Sequence, residues 1–163
     1  MANIVVTNKC NLQCPYCFAG QEMASNKQEK QEMDMPAFER LIDYLAKEGV
    51  KKARILGGEP TLHPQFEKMI EHLLKDDWSI SLLSNGTWSN KTRDFLKIIP
   101  PHRIMYMINL NPPSQLGGIL WKRIQENLEY LIGENVSLSL NINQVDFEYL
   151  HIIQAIKKFG FTS

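Results

Sequence analysis

The chain has 163 residues, and its 18 lysine and arginine side chains balance 18 aspartate and glutamate side chains. This length suits one domain with a genuine hydrophobic core, which we expect to span residues 1–163. A formal net charge of zero argues against a large nucleic-acid or anionic-membrane interface, because such surfaces carry excess lysine and arginine. No apolar run approaches the ~20 residues of a membrane span.

The sequence also favours a cytoplasmic location. Its first residues lack the basic segment and the long apolar stretch of a secretory signal. Its three cysteines are clustered and odd in number, which is untypical of a disulfide framework and fits a reducing compartment. We therefore expect a cytoplasmic protein with no membrane partner.

Short strand-like runs alternate with amphipathic helical stretches in the first half of the chain. A strand at residues 4–7 leads into a cysteine-containing loop, and a polar stretch over residues 21–33 has no periodicity and predicts a further loop. A helix then begins near Asp34. The second strand, at residues 53–56, is followed by a helix with Pro64 at its first position.

The same alternation continues to the end of the chain. A third strand at residues 79–84 precedes Ser89, which can cap the next helix. The remaining predicted elements are a strand at residues 103–111, a helix around Trp121, a strand at residues 136–143 and a helix at residues 147–159 that stops at Gly160.

Five strand–helix units in succession predict an α/β fold with a parallel sheet and right-handed crossovers. The fifth strand alternates apolar and polar residues, whereas a strand covered by helices on both faces is nearly all apolar. A polar face suits the lumen of a barrel that holds a polar ligand at the carboxyl ends of its strands. We therefore predict a partial, TIM-like (β/α) barrel that is truncated where a sixth strand would begin.

The three cysteines, Cys10, Cys14 and Cys17, form a CxxxCxxC pattern at the end of the first predicted strand. Three thiolates on one loop can bind three corners of an iron–sulfur cube and leave the fourth iron without a protein ligand. A structural zinc site is a second interpretation, although it normally needs a fourth cysteine or histidine. The tetrad from Cys14 to Cys17, Cys-Pro-Tyr-Cys, also matches the dithiol of glutaredoxins. Spacing alone leaves all three open.

The next two strands also end in short motifs. Gly57-Gly58-Glu59-Pro60 follows the second strand, and Ser84-Asn85-Gly86 closes the third. Glycines allow the backbone to come close to a ligand, and the glutamate adds an acceptor or a negative charge. The plain structural interpretation of each motif is a tight turn after a strand.

Taken together, in this order and at successive strand ends, these residues resemble the radical S-adenosylmethionine (SAM) enzymes. The resemblance covers essentially the whole chain. It implies that Cys10, Cys14 and Cys17 ligate a 4Fe–4S cluster whose unique iron binds the amino and carboxylate groups of SAM. It also implies the reaction: the reduced cluster cleaves SAM to methionine and a 5′-deoxyadenosyl radical, which abstracts hydrogen from a substrate.

The resemblance further implies which residues surround SAM. An aromatic residue lies near the adenine, the glycine motif lies by the methionine ammonium, and the third strand's end lies by the carboxylate or ribose. The fourth strand, where relatives often carry Ser-x-Asp, ends here in Asn-x-Asn, which can still bond a ribose or carboxylate. The candidate cofactor contacts are Tyr16, Gly57, Gly58, Glu59, Ser84, Asn85 and Asn109.

The expected partners follow from the same chemistry. We expect a small-molecule or peptide substrate and a reduced electron donor such as flavodoxin or ferredoxin, while the sequence identifies no catalytic residue. Two alternative functions remain: a cluster- and SAM-binding module without turnover, and a glutaredoxin-like dithiol oxidoreductase.

Overall fold

The computed structural model describes residues 1–17, 20, 32–142 and 145–161. Within these residues the strands are β1 (Ala2–Val5), β2 (Lys52–Leu56), β3 (Ser79–Ser84), β4 (Ile104–Asn109) and β5 (Val136–Ser139). The α-helices are α1 (Met35–Lys47), α2 (Phe66–Lys75), α3 (Asn90–Lys97), α4 (Pro113–Tyr130) and α5 (Leu150–Phe159), and a short 3₁₀ helix covers Pro60–Leu62.

The strands form one sheet in the order β1-β2-β3-β4-β5. The pairs β1–β2, β2–β3 and β4–β5 are parallel, as the strand–helix alternation predicted. Ile4 lies opposite Ile55 in the first pair, and Tyr106 lies opposite Val136 in the last. The chain divides into two compact units, Met1–Leu82 and Leu83–Ser163, so the division falls inside β3.

In the first unit, the predicted start of α1 is confirmed and that of α2 is wrong. The Asp34 carboxylate accepts a hydrogen bond of 2.8 Å from the Ala37 amide and caps α1. Pro64 was predicted to open the next helix, but α2 begins at Phe66. His63 has an extended backbone (φ −67°, ψ 129°), as expected of a residue before proline, and this separates the 3₁₀ helix from α2.

In the second unit, both predicted helix signals are confirmed. The Ser89 hydroxyl accepts from the Thr92 amide at 3.1 Å and caps α3. Gly160, at φ 71°, ends α5 in the left-handed conformation that glycine adopts without strain.

The second unit also departs from the predicted bounds. The helix predicted around Trp121 is α4, which already begins at Pro113 and is kinked at Gly117 (φ 74°, ψ 161°). The last helix begins at Leu150, three residues later than predicted. Strand β5 ends at Ser139, and position 143, its predicted end, lies outside the described residues, as does most of the predicted loop 21–33.

Each unit has its own buried apolar residues. In the first unit, α1 and α2 each bury one face. In the second unit, buried and half-buried residues alternate along β4, and α4 and α5 each bury one face. In the parts of the chain that the structure describes, no helix is both long and apolar enough to cross a membrane. The largest fully buried side chains include Phe38, Met69, Trp78, Trp88 and Tyr106.

Candidate functional site

The start of the cysteine loop lies directly on the glycine pair that follows β2. The Gly58 amide donates to the Thr7 carbonyl at 2.8 Å, and the Glu59 amide donates to the Lys9 carbonyl at 2.7 Å. A Cβ atom at Gly57 would lie 2.4 Å from the Thr7 carbonyl oxygen, and one at Gly58 would lie 2.3 Å from that of Lys9. Glycine is therefore required at both positions by the path of the neighbouring backbone alone.

This contact was not predicted from the sequence, which assigned the open space beside the glycines to a ligand. Part of that space is occupied by the backbone of residues 7–9. Residues 7–9 directly precede Cys10 in the sequence. The two motifs are thus joined by main-chain hydrogen bonds before any cofactor is considered.

Residues 32 and 33 are also held against the end of β1. Thr7 and Glu32 form an antiparallel bridge, and the Met33 amide donates to the Val6 carbonyl at 2.8 Å. The Lys9 ammonium lies 2.7 Å from a Glu32 carboxylate oxygen. Both flanks of the cysteine-bearing segment are therefore held beside the end of β1.

His63, which lies between the 3₁₀ helix and α2, is bonded to the same region. It is buried, and its Nδ1 accepts from the Gln65 amide at 3.0 Å. The proton must then be on Nε2, which donates to the Met33 carbonyl at 2.9 Å. Both ring nitrogens of His63 are therefore used in hydrogen bonds to the backbone.

The three cysteines are all described, and none of them forms a disulfide. Cys10 and Cys17 are exposed and Cys14 is half-buried; the Leu12 amide donates to the Cys10 sulfur at 3.4 Å. Among the described residues, no three His, Cys, Asp or Glu side chains are already arranged around a metal position. Tyr16, the predicted adenine contact, is half-buried on the same loop.

Glu59 lies close enough to Cys10 to act on its thiol electrostatically. It is fully buried, and its Oε1 accepts from the Thr61 amide at 3.2 Å and the Thr61 hydroxyl at 2.6 Å, which caps the 3₁₀ helix. Desolvation of the thiol raises the pKa of Cys10, the Leu12 amide opposes this, and the negative charges of Glu59, Cys14 and Cys17 raise it further. The predicted cysteine and Gly-Gly-Glu residues are thus brought together in the first unit.

The second unit carries the other predicted contacts, beginning with the turn after β3. The Ser84 hydroxyl oxygen accepts from the Gly86 amide at 3.1 Å and from the indole N–H of Trp88 at 2.6 Å. The Asn85 side-chain oxygen accepts from both the amide (3.0 Å) and the hydroxyl (2.6 Å) of Thr87. We call residues 84–88 the β3 turn.

Asn109 lies at the end of β4 within a row of side-chain amides. Its Nδ2 donates to Asn111 at 3.1 Å, and its Oδ1 accepts from Asn141 at 2.9 Å. Asn109 is half-buried, Asn111 is buried and Asn141 is exposed. The predicted Asn109 is thus part of a hydrogen-bonded set that joins the ends of β4 and β5.

Comparison with known proteins identifies the family. The sequence model of the radical SAM superfamily matches residues 4–162. The chain belongs to the radical SAM superfamily. The resemblance drawn from the short motifs is therefore confirmed, and so is the fold, a radical SAM partial barrel with parallel strands.

Several radical SAM proteins can be named as relatives. The chain is 30% identical to GTP 3′,8-cyclase of Desulforamulus reducens over 159 residues, which is 88% of this chain and 48% of that protein. It is 28% identical to the subtilosin biosynthesis protein AlbA of Bacillus subtilis over 69% of this chain and 24% of AlbA. The chain thus spans about half or less of the curated relatives it matches.

A solved structure gives the same fold. Streptococcus suis SuiB bound to S-adenosylmethionine superposes with a TM-score of 0.71 at 19% identity, covering 95% of this chain and 36% of SuiB. Radical SAM proteins use a 4Fe–4S cluster and SAM. The donors present here suit that cluster, because three thiols lie on one loop that is fixed at both flanks, and ligation can order the thiols as it binds.

Proposed function

We propose that this chain is the cluster- and SAM-binding part of a radical SAM enzyme, with Cys10, Cys14 and Cys17 as the three ligands of a 4Fe–4S cluster. The contact between the cysteine loop and Gly57-Gly58-Glu59 carries the proposal. Its support is the pair of main-chain hydrogen bonds and the effect of the Glu59 charge on the Cys10 thiol. A cluster on this loop would lie beside the glycine motif.

When bound, the cluster supplies the electron that cleaves SAM to methionine and an adenosyl radical. The residues of the chain would bind SAM and orient it. The buried Glu59 carboxylate offers a negative charge next to the loop, which favours the methionine ammonium of SAM. Tyr16, half-buried on the loop, is proposed to hold the adenine.

The β3 turn suits the other polar groups of SAM. The Ser84 hydroxyl oxygen accepts two hydrogen bonds within the turn, which fix its position. The Asn85 side-chain oxygen is likewise fixed by two hydrogen bonds from Thr87. Hydroxyl and side-chain amide groups can bond carboxylate and ribose oxygens, and we assign Ser84, Asn85 and Asn109 to these groups of SAM.

The substrate, electron donor and location complete the proposal. We propose a small-molecule or peptide substrate, since the named relatives include a GTP cyclase and a bacteriocin biosynthesis protein. A reduced flavodoxin or ferredoxin would supply the electron, and the reaction would take place in the cytoplasm.

The test is anaerobic reconstitution with iron and sulfide, followed by reduction in the presence of SAM. We expect about four irons per chain and formation of 5′-deoxyadenosine and methionine. Cys14→Ala should lose both, whereas His102→Ala, which changes an exposed potential ligand outside the loop, should keep both. A folded native chain that takes up no iron and sulfide would contradict the proposal.

The same samples separate the alternatives. A cluster and SAM binding without product would identify a binding module that does not turn over. Zinc in the purified protein at one ion per chain, with no sulfide, would indicate a structural metal site. Rapid thiol–disulfide exchange at Cys14 in the absence of a cluster would indicate dithiol chemistry.

A further inference from the structure

The segment that follows β2, residues 57–63, contacts the chain on both sides of the cysteine motif. Before the motif, the Glu59 amide donates to the Lys9 carbonyl at 2.7 Å. After the motif, the imidazole of His63 donates from Nε2 to the Met33 carbonyl at 2.9 Å. All three cysteines lie between the two positions that this one segment holds.

The backbone of Met33 is bonded on two sides. Its amide donates to the Val6 carbonyl at 2.8 Å, and beside it Thr7 and Glu32 form an isolated antiparallel bridge. A pairing this short is marginal by itself, because it joins the two stretches of chain through few hydrogen bonds. The bond from His63 to the Met33 carbonyl adds support to this pairing from the segment after β2.

The imidazole of His63 is oriented by its own surroundings. The side chain is buried, with 4% of the residue exposed, and its Nδ1 accepts from the Gln65 amide at 3.0 Å. The amide of His63 donates to the Pro60 carbonyl, also at 3.0 Å. Because Nδ1 is an acceptor, the ring proton is on Nε2, and the ring meets Met33 as a donor. Residues 60–65 therefore fix the direction in which this donor points.

From these contacts we infer that His63 is a positioning residue for the iron–sulfur cluster, which acts by holding Met33, on the far side of the cysteine motif, against the end of β1. The inference rests on the proposed function, because it takes the three cysteines as cluster ligands. Fixing both flanks of a loop before its ligand arrives reduces the entropy that is lost when the ligand orders the loop. Without the bond from His63, part of the free energy of cluster binding would be used to order this flank.

The test compares substitutions that keep different halves of the imidazole's bonding. The side-chain nitrogen of glutamine is as many bonds from Cα as Nε2 of histidine, so His63→Gln keeps a donor toward Met33. The side-chain oxygen of asparagine corresponds in the same way to Nδ1. His63→Asn therefore keeps the acceptor for the Gln65 amide and has no group that reaches Met33. His63→Leu removes both bonds.

The measurement is the rate at which the anaerobically reconstituted protein loses iron to a chelator. We expect His63→Asn and His63→Leu to lose iron about three- to tenfold faster than the native chain, the change that one lost hydrogen bond predicts. His63→Gln should stay within about twofold of the native rate, because the bond to Met33 is kept.

Ile80→Val is the control for a general loss of stability. Ile80 is a buried residue of the same unit, and it lies near the start of β3, at the opposite end of the strands from the cysteine loop. Removing one buried methyl group destabilises a protein about as much as the loss of one hydrogen bond does. The control should therefore have a lower melting temperature and lose iron within about twofold of the native rate.

The outcomes are distinguishable. The inference requires that His63→Gln retains iron longer than His63→Asn, and equal or reversed rates in these two variants show that it is wrong. This comparison decides the question even where His63→Leu does not fold. The inference is also wrong if Ile80→Val loses iron as fast as His63→Asn does, because the effect would then follow stability alone. A native chain that takes up no cluster contradicts the proposed function itself.

Discussion

Gly58→Ala tests the contact that joins the cysteine loop to the glycine motif. The new Cβ would lie 2.3 Å from the Lys9 carbonyl oxygen and 2.9 Å from that of Asn8. Ordinary van der Waals contact begins near 3.4 Å, so the two backbone segments must separate by about 1 Å. A shift of that size breaks the 2.7 and 2.8 Å hydrogen bonds between them.

The cost can be estimated from these contacts. Each lost hydrogen bond destabilises by about 0.5–1.5 kcal/mol, and overpacking adds about 1–3 kcal/mol. The alanine recovers about 0.4–1 kcal/mol by restricting the unfolded chain. We expect the free energy of unfolding to fall by about 3 kcal/mol, or roughly 6–12 °C in melting temperature for a chain of this size.

The assay combines thermal unfolding with iron uptake, and Gly118→Ala is the matched control. Gly118 has no atom within 4 Å of its ideal Cβ position and has no positive φ, so alanine there should be neutral or stabilising. Gly58→Ala should also reconstitute with less iron, because the loop that carries the cysteines is displaced. A melting temperature within about 2 °C of Gly118→Ala, with equal iron uptake, would refute the close contact.

Two further predictions concern titratable groups. Burial raises the pKa of Tyr106 and the charge of Glu134 raises it further, whereas an unfolded tyrosine ionises near pH 10. The neutral, buried Tyr106 should therefore stabilise the native chain fully below about pH 10, and this stabilisation should be lost as the pH rises further. In denaturant titrations, the free energy of unfolding of Tyr106→Phe should fall less steeply with pH above about 10 than that of the native chain. Equal pH dependence in the two proteins would contradict the prediction. Glu59→Gln removes one charge that raises the pKa of Cys10, so Cys10 in the cluster-free protein should alkylate faster at about pH 8, measured by mass spectrometry of the peptide. An unchanged rate would show that the carboxylate has no influence on the thiol.

The sequence was a good guide where a signal is local. The strand-like run at residues 79–84 predicted the bounds of β3, and single capping residues placed the start of α1, the start of α3 and the end of α5. It was a poor guide to the start of α2. Pro64 is suited to the first position of a helix, but Gln65 after it has a non-helical backbone (φ −109°, ψ 18°), so the helix begins at Phe66.

The site divides in the same way. The cysteines, the Gly-Gly-Glu motif and the Ser-Asn-Gly turn could be found because each is a short run of chemically distinctive residues. The contact of Thr7 with Gly57 and the bonds of the Asn127 amide to the carbonyls of Gly86 and Trp88 could not be found, because each joins residues that are 39 or more positions apart. Hydrogen bonds to backbone carbonyls place almost no demand on the sequence of the partner, so no pattern records them.

The crossing of residues 7–9 over Gly57 and Gly58 changes what the glycine pair can tell an investigator about any related chain. Descendants that keep this crossing must keep glycine at both positions, even after they have lost the cofactor. The glycine pair can therefore persist in a family member that is no longer catalytic. Its presence indicates that the backbone path has been kept. The cysteines are under no such packing constraint, so their retention is the better marker of a working enzyme.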